Sequence, residues 1–441
     1  MLQADLVRRE RLLSVANVAC WAFGLVLLAR NFLAVLAHSV NVPYWDDWAA
    51  LDQGALDRSL DWSWLISFHN VHRTAWTNLS IWILYRLDGW NLSAHLAANF
   101  ILFAAFSVYF LRTLERLFAA RLGLFLVFAA SPLPDEVHLH ASNGQWTFAV
   151  ALSFLAVVFA LREDRWAHLA PVLAGAAMLS MGTGMVIAVV ALGTLLTGLA
   201  LVAPDRRRRV AIWAVALIVE VALWAHGYPS QEWPLTPPWK AAFWDHLGVL
   251  VAVAFGWTDA LRPGIGWTVL ALLAASIVLT LVRLRRMDGA ERPRWIALSC
   301  WALGIAAGAA SISLGRAWGG AAGGGSGRYL IIPLFLIAPL WLLVSRQLLA
   351  PMPERGRVAV SALLLLLLCA PWVRDFDYSH RYGLQLQRRL AGLACMRRMV
   401  RAGLAPACPQ IQYDLAKAPF HHQRAIALRL SYLREQFSGE P

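Results

Sequence analysis

Long apolar stretches recur along almost the whole chain, and short arginine clusters separate them. A stretch of roughly 20 apolar residues crosses the hydrocarbon core of a bilayer as a helix. The chain is 59% hydrophobic and 15% charged, with a mean hydropathy of +0.56 over 441 residues, which excludes an ordinary water-soluble protein. We therefore predict an all-α polytopic membrane protein with about eleven transmembrane helices. The predicted spans are 12–37, 93–111, 121–133, 144–161, 167–180, 184–203, 210–226, 264–282, 295–314, 328–345 and 358–373.

The arginine clusters predict the orientation of the chain. They precede the first predicted span and follow the second, fourth, sixth, eighth and tenth, which is every second connection. Because cytoplasmic connections carry an excess of Arg and Lys, the N-terminus is predicted to be cytoplasmic and the C-terminal segment exterior. A net charge of +13 is also typical of nucleic-acid-binding proteins, but these clusters form no continuous basic and aromatic face. We expect a bacterial inner (plasma) membrane protein that does not bind nucleic acid.

The polar segments divide the chain into a transmembrane region, 1–373, and a small exterior helical region, 374–441. The first stretch is too long for a signal-peptide core, so we expect it to be retained. Residues 38–92 form a Trp-rich exterior loop whose broken apolar runs favour helices lying in the membrane interface. The spans 121–133 and 167–180 are short, so we expect them to end in a cavity or in exterior loops that dip into the membrane.

The C-terminal region contains two stretches, 384–403 and 420–436, in which apolar residues alternate with Arg at helical spacing, so two helices are predicted there. Cys395 and Cys408 both lie in this region. A disulfide between them requires an oxidising compartment. The spacing fits either a disulfide or two free thiols, because it does not fix the geometry that a disulfide needs.

Two adjacent carboxylates, Asp46 and Asp47, follow the first span in the run PYWDDW. Charged groups are expensive near hydrocarbon and are usually retained there for function, which makes the pair the first candidate for catalysis. Side chains of adjacent helical residues point about 100° apart, so we expect one aspartate to face the substrate and the other to bind a divalent cation or fix the loop. The alternative is that both cap a solvated loop after Pro43.

Three further polar residues follow in the same loop. His69, His72 and Arg73 have the spacing i, i+3 and i+4, which places them on one face if the segment is helical. Such a face fits a phosphate. It also fits a metal together with an aspartate, but the spacing of known zinc motifs is missing.

Two more clusters lie on the predicted exterior side. In the first, Glu136 is a candidate second carboxylate, whereas the neighbouring Asp135, His138 and His140 fit the solvation of a tight loop equally well. In the second, Arg316 and Arg328 bracket a glycine-rich loop, and Tyr329 opens the next span. Guanidinium groups bind phosphate in bidentate fashion, so this loop is a candidate phosphate site; the alternative is a flexible loop with arginines that reach the membrane surface. The lysine of a nucleotide P-loop is absent.

These features together resemble the GT-C superfamily of integral-membrane glycosyltransferases, which includes protein O-mannosyltransferases and aminoarabinose transferases. The resemblance is carried by the acidic pair in PYWDDW after the first span, the interfacial loop, the many spans and the Gly/Arg loop leading into SGRYL. It implies a sugar donor on a polyprenyl phosphate, transfer on the exterior face to a glycan, lipid or protein acceptor, and no nucleotide. It also implies that Asp46 or Asp47 is the general base or orients the acceptor, and that Arg328 stabilises the departing phosphate. Metal dependence varies within the superfamily.

Two other functions fit parts of the sequence. A transporter or flippase of a lipid-linked sugar would use the arginines to hold phosphate, but the predicted spans contain few polar groups and no inverted repeat. An O-antigen-type polymerase or ligase would rely on exterior Arg and His residues in place of the acidic pair.

Overall fold

The computed structural model describes residues 2–433, apart from 53–55, 57–58, 203–205, 230–233, 258–261, 376–377, 405–406 and 413, with side chains described from residue 10 and not over 365–379. The regular secondary structure of the described residues is helical apart from one two-stranded hairpin, β1 (Phe68–His69) and β2 (His72–Arg73). The longer helices are α1 (Leu2–His38), α3 (Ala75–Asp88), α4 (Leu92–Phe118), α7 (Gly144–Ala160), α8 (Leu169–Met178), α9 (Gly182–Val202), α10 (Arg207–Ala225), α11 (Ala241–Ala254), α12 (Arg262–Arg283), α13 (Arg292–Arg316), α16 (Glu354–Asp375), α17 (Tyr378–Arg401) and α18 (Ala418–Ala427). The shorter helices are α2 (Trp62–Leu65), α5 (Gly123–Ala129), α6 (Asp135–Leu139), α14 (Ile331–Leu334) and α15 (Ile337–Val344).

Seven helical stretches among the described residues are long and apolar enough to cross a membrane. They are Glu10–His38, Leu92–Phe118, Ala141–Ala160, Gly182–Val202, Arg262–Arg286, Arg292–Gly319 and Gly327–Leu349. The prediction of a multi-pass helical membrane protein is thereby confirmed. The other four predicted spans coincide with α5, α8, α10 and α16, and the total of eleven stays a prediction.

The helices give the molecule two chemically different ends. At one end, which we call the basic end, Glu115 near the close of α4 accepts hydrogen bonds from Asn17 and Trp21 of α1, and Arg206 pairs with Glu163. This end collects the predicted arginine clusters between α4 and α5, α7 and α8, and α9 and α10.

At the opposite end, which we call the site end, α1 leads into the acidic motif and α4 begins. Asn41 accepts a hydrogen bond from the amide of Leu92 there, and the amide of Gly182 at the start of α9 donates to His72. Every arginine cluster on the connections named above therefore lies across the bundle from the acidic motif.

An aromatic core joins α4, α7, α13 and the α14–α15 segment. The ring centroids of Phe110 and Phe154 are 4.7 Å apart, those of Phe106 and Phe335 are 4.8 Å apart, and Trp301 lies 5.1 Å from Phe154. Since lipid is as apolar as these side chains, close packing of this kind is the main force that holds membrane helices together.

The segment between α5 and α7 inserts among the helices at the site end. The ring of His138 in α6 lies 5.0 Å from both Phe100 and Phe103, which are roughly two to three turns into α4. A loop that dips between helices is the arrangement expected after the short span at 121–133.

The C-terminal region packs against the site end. Helix α17 lies close to the first predicted helix, whereas α18 begins near the predicted start but ends at Ala427, before a turn in which Arg429 has a positive φ of 51°. Helix α17 contacts α1 and α6, and α18 contacts the segment 45–51. Cys395 and Cys408 form a disulfide, with their Cα atoms 5.9 Å apart. The predicted second helix extends in part beyond the described residues.

Candidate functional site

The acidic motif folds into a 3-10 helix, Trp45–Leu51, which begins two residues after Pro43. Asp47 Oδ2 accepts a hydrogen bond from the amide of Tyr44 over 3.1 Å, which closes the start of the helix in the manner of a capping box. The amide of Trp45 donates to the carbonyl oxygen of Ile411 over 2.7 Å. The motif is thus fixed both locally and by the C-terminal region.

Asp47 is a buried structural carboxylate. It is 1% exposed, and its Oδ1 accepts a 2.8 Å hydrogen bond from the amide of Ser142 in the inserted segment. Burial raises the pKa of Asp47, while Arg389 and the backbone donors oppose that shift. Both of its oxygens are engaged with the backbone, so Asp47 positions the motif.

Asp46 has a different environment. It is half-buried and lines a polar cleft of about 240 Å³ between the 3-10 helix, the β1–β2 hairpin, α3 and the start of α7. His69, Gln145 and Lys417 line the same cleft. The side-chain oxygen of Gln145 is buried and has no hydrogen-bond partner among the described residues, so the cleft presents an unpaired acceptor beside a carboxylate.

The prediction that His69, His72 and Arg73 share a helical face is wrong. They lie on the β1–β2 hairpin, where His69 pairs with His72 across a turn in which Asn70 has a positive φ of 53°. A turn with a positive φ favours Asn. Here it pairs β1 with β2 in a segment for which the residue spacing predicted a helix. His69 lines the cleft, whereas His72 and Arg73 point into the protein.

His72 and Arg73 are committed to packing contacts. The Nδ1 atom of His72 accepts a hydrogen bond from the amide of Gly182, and burial lowers the pKa of His72 to about 4, with Arg316 and His69 adding to the shift. The guanidinium of Arg73 donates to the carbonyl oxygens of Ile66, Trp224 and His226. This geometry does not support the proposal that Arg73 contacts a phosphate.

Arg328 lies at the close of the glycine-rich loop and is held by Glu136. Its Nε atom is 3.1 Å from the carboxylate of Glu136, which also accepts hydrogen bonds from Ser326. Arg328 interacts electrostatically with Asp46 as well. Asp46 and Arg328, which are 282 residues apart in the numbering of the chain, therefore lie within electrostatic range of each other, although Arg328 is not among the residues that line the cleft of Asp46.

The remaining predicted residues of this loop lie nearby. The ring of Tyr329 is 5.5 Å from that of Trp146, and the guanidinium of Arg328 is 5.4 Å from the centre of the Tyr329 ring. Arg316 is exposed at the end of α13 and acts electrostatically on His72 of the hairpin.

Helix α17 contributes a set of buried polar residues that sequence reasoning missed. Tyr382 contacts Nδ1 of His138 over 2.7 Å, and Gln385 donates to Asp135 over 3.2 Å. Arg389 is 1% exposed and lies 4.8 Å over the ring of Tyr44. Its three guanidinium nitrogens have no hydrogen-bond partner in the described part of the chain. These residues connect the C-terminal region to the acidic motif.

The described residues do not form an evident metal centre. No three His, Cys, Asp or Glu side chains within them come together as candidate ligands. Both oxygens of Asp47 already accept backbone hydrogen bonds, and cation binding by one aspartate of the pair stays a prediction.

No protein-family model and no curated protein matches this chain. A solved structure that is similar to it is the crystal structure of ArnT from Cupriavidus metallidurans bound to undecaprenyl phosphate. The alignment covers 96% of this chain and 78% of that one, with 17% sequence identity and a TM-score of 0.42. What this chain does is therefore inferred from its own residues.

Proposed function

We propose that the chain is a membrane glycosyltransferase of the GT-C kind, which moves a sugar from a polyprenyl-phosphate-linked donor to a cell-envelope acceptor on the exterior face. The observation that carries the proposal is the position of Asp46, a half-buried carboxylate that lines a polar cleft and interacts electrostatically with Arg328. Displacement at an anomeric carbon needs a carboxylate on the attacking side and positive charge where the phosphate departs.

In this proposal Asp46 is the general base. It accepts the proton of the acceptor hydroxyl while that oxygen forms a bond to the anomeric carbon. The bond between the anomeric carbon and the phosphate oxygen breaks, and the electron pair leaves with the polyprenyl phosphate. Arg328 stabilises the departing phosphate, because a guanidinium binds it through two parallel hydrogen bonds.

The neighbouring residues receive supporting roles. His69 and Gln145 line the cleft beside Asp46 and orient the acceptor. Glu136 holds Arg328 in place through the 3.1 Å ion pair. Arg316 and Tyr329 flank the same glycine-rich loop and contact the donor phosphate or its first sugar.

The proposed orientation has two supports. The arginine clusters of three alternate connections lie at the basic end, across the bundle from the acidic motif, and such clusters mark the cytoplasmic side. The disulfide between Cys395 and Cys408 lies at the site end, and disulfides persist in oxidising compartments. We therefore propose a cytoplasmic N-terminus, an exterior site, eleven spans and a C-terminal region outside the inner membrane.

A transfer assay tests the proposal. The purified full-length protein is incubated with a panel of labelled polyprenyl-phosphoryl sugars and envelope extract, and the release of polyprenyl phosphate is measured. Asp46→Asn is expected to lower the rate at least ~10²-fold, the range of general-base catalysis, with an unchanged thermal unfolding midpoint. Asp164→Asn, an exposed carboxylate paired with Arg162, is the matched control and should retain full activity.

Full activity of Asp46→Asn would overturn the proposed mechanism. If the same assay showed that Arg316 or His69 variants lose transfer while Asp46→Asn keeps it, the enzyme would belong to the polymerase or ligase class. Exchange of the lipid-linked sugar across a bilayer without release of polyprenyl phosphate would assign the chain to transport.

A further inference from the structure

The basic end contains a second cleft, far from the acidic motif. It has a volume of about 390 Å³ and is lined by Arg116, Arg294, Arg346, Glu291, Trp295 and Ser345, among others. Three arginines face one glutamate there, so the cleft carries a net positive charge. We propose that this cleft binds the phosphate headgroup of an anionic phospholipid.

The location of the cleft fits a bilayer surface. Its walls come from the ends of three stretches that are apolar enough to cross a membrane: Leu92–Phe118 closes there, Arg292–Gly319 begins there and Gly327–Leu349 closes there. Three such ends converge only where the hydrocarbon stops and the headgroups begin.

The charges of the cleft are partly uncommitted. Arg346 is paired with Glu291 over 3.2 Å, which leaves Arg116 and Arg294 as the excess positive charge. Arg294 makes one long hydrogen bond, 3.4 Å, to the carbonyl of Leu117. Arg116 makes no ion pair or hydrogen bond among the described residues.

Further features distinguish the cleft from a solvated basic surface. Ser345 is the first residue of a π-helical turn, Ser345–Leu349. Its hydroxyl oxygen is buried and has no hydrogen-bond partner within the described residues. A phosphate oxygen offers the acceptor that a hydroxyl donor needs. The aromatic side chains Phe118 and Trp295 pack together at 4.7 Å between their ring centres, and they offer an apolar wall to an acyl chain.

The combination of guanidinium groups, a free hydroxyl and an apolar wall fits an amphiphile better than a soluble anion. Basic pockets between transmembrane helices on the cytoplasmic side bind anionic lipid headgroups. A zwitterionic headgroup carries its own cation, which the excess arginine charge repels, so the structure favours a net-negative lipid.

The test uses the full-length protein in detergent after removal of native lipid. Dioleoyl-phosphatidylglycerol is titrated, and the thermal unfolding midpoint is followed, with dioleoyl-phosphatidylcholine and sodium phosphate as comparison ligands. The wild-type midpoint is expected to rise with phosphatidylglycerol and to change little with the other two. The double variant Arg116→Gln/Arg294→Gln leaves the Arg346–Glu291 pair intact and should raise the half-saturating concentration of phosphatidylglycerol at least tenfold.

The matched control removes the same charge from the same end of the molecule. Arg165→Gln/Arg208→Gln changes two exposed arginines outside the cleft and should behave as wild type. A third variant, Ala350→Phe, fills the cleft without changing any charge and should also weaken the binding of phosphatidylglycerol. It provides the test if the double variant does not fold. Equal weakening in the cleft and control double variants, or an unchanged response in both cleft variants, overturns the proposal. If sodium phosphate stabilised the protein as much as phosphatidylglycerol does, the cleft would be a site for a soluble anion, and the proposal of a lipid ligand would be overturned.

Discussion

The indole N–H of Trp48 donates a 3.0 Å hydrogen bond to the carbonyl oxygen of Ile411, across 363 residues of chain. The same oxygen accepts from the amide of Trp45, so one carbonyl of the C-terminal region holds both ends of the WDDW motif. The amide of Ile411 in turn donates to the carbonyl of Cys408. Two hydrogen bonds therefore connect the disulfide to Trp45 and Trp48, the residues that flank the two aspartates.

We predict that the Cys395→Ser/Cys408→Ser variant loosens the acidic motif. A disulfide across 13 residues of sequence stabilises the folded chain by about 3 kcal/mol through loop-closure entropy. Its loss should lower the thermal unfolding midpoint, speed hydrogen exchange at the amide of Trp45 and reduce transfer.

Reductant provides the control for this variant. Wild-type protein should lose stability on addition of a phosphine reductant, whereas the double serine variant should not respond. Cys20→Ser/Cys300→Ser, which removes the free cysteines of the described chain, should respond as wild type does. An exchange rate at Trp45 that is the same in wild type and in the Cys395→Ser/Cys408→Ser variant contradicts the connection.

We predict that Asp47 and Arg389 are energetically coupled. Burial raises the pKa of Asp47, and Arg389 is the largest opposing influence; burial lowers the pKa of Arg389 to about 10, and Asp47 is the largest influence that opposes it. Removing either charge alone leaves the other buried without compensation, which is strongly destabilising. In a double-mutant cycle of Asp47→Asn and Arg389→Met, the double variant should be less destabilised than the sum of the singles by about 1–3 kcal/mol.

Unfolding midpoints in detergent measure this cycle. Asp46→Asn replaces Asp47→Asn in a parallel control cycle with Arg389→Met, and the changes there should add, because the charges that act on the pKa of Arg389 are those of Asp47 and Tyr44. Additivity in the Asp47 cycle would show that the two buried charges do not stabilise each other.

We predict that Gly327→Ala displaces the loop that presents Arg328. A Cβ atom at position 327 would overlap Oδ1 of Asp135, so either the loop or the carboxyl must move, at a cost of about 1–3 kcal/mol. Transfer and the unfolding midpoint should both fall. Gly319→Ala in the same loop meets no atom within 4 Å and is the matched control; an equal loss in both variants would mean that loop flexibility, and not this contact, is what matters.

The sequence predicted the helical membrane architecture because each apolar stretch can be recognised within its own window of roughly 20 residues. It also predicted that Asp46 and Asp47 diverge, since adjacent side chains on a helix point in different directions. It did not predict which aspartate faces the cleft. That choice depends on Ser142 and Arg389, which approach Asp47 from distant parts of the chain.

Two errors of the sequence interpretation have local causes. The spacing of His69, His72 and Arg73 fits a helix, but Asn70 readily adopts a left-handed conformation, and that was the available signal for a turn. Arg389 was overlooked among exposed arginines, although it falls at helical spacing from Leu393 and Met396, which are buried on the same face of α17. A polar residue on the apolar face of an amphipathic helix was therefore the signal for a buried charge.

We predict that lowering the pH stabilises the wild type relative to Asp135→Asn. Burial raises the pKa of Asp135 to about 6, with Glu136 adding to the shift and Arg381 and Gln385 opposing it; Tyr382 also interacts with this carboxyl. In the unfolded chain an aspartate has a pKa near ~3.9. Between about pH 4 and pH 6 the folded state therefore holds a proton that the unfolded state has released, and stability decreases as the pH rises through this window. The unfolding free energy of the wild type minus that of Asp135→Asn should increase by about 2 kcal/mol from pH 7 to pH 4, measured as denaturation midpoints in detergent. Glu163→Gln changes an exposed carboxylate at the basic end and is the control; its dependence of stability on pH should be much closer to that of the wild type. If Asp135→Asn and the wild type instead showed parallel dependences, the buried carboxyl would not titrate in this range.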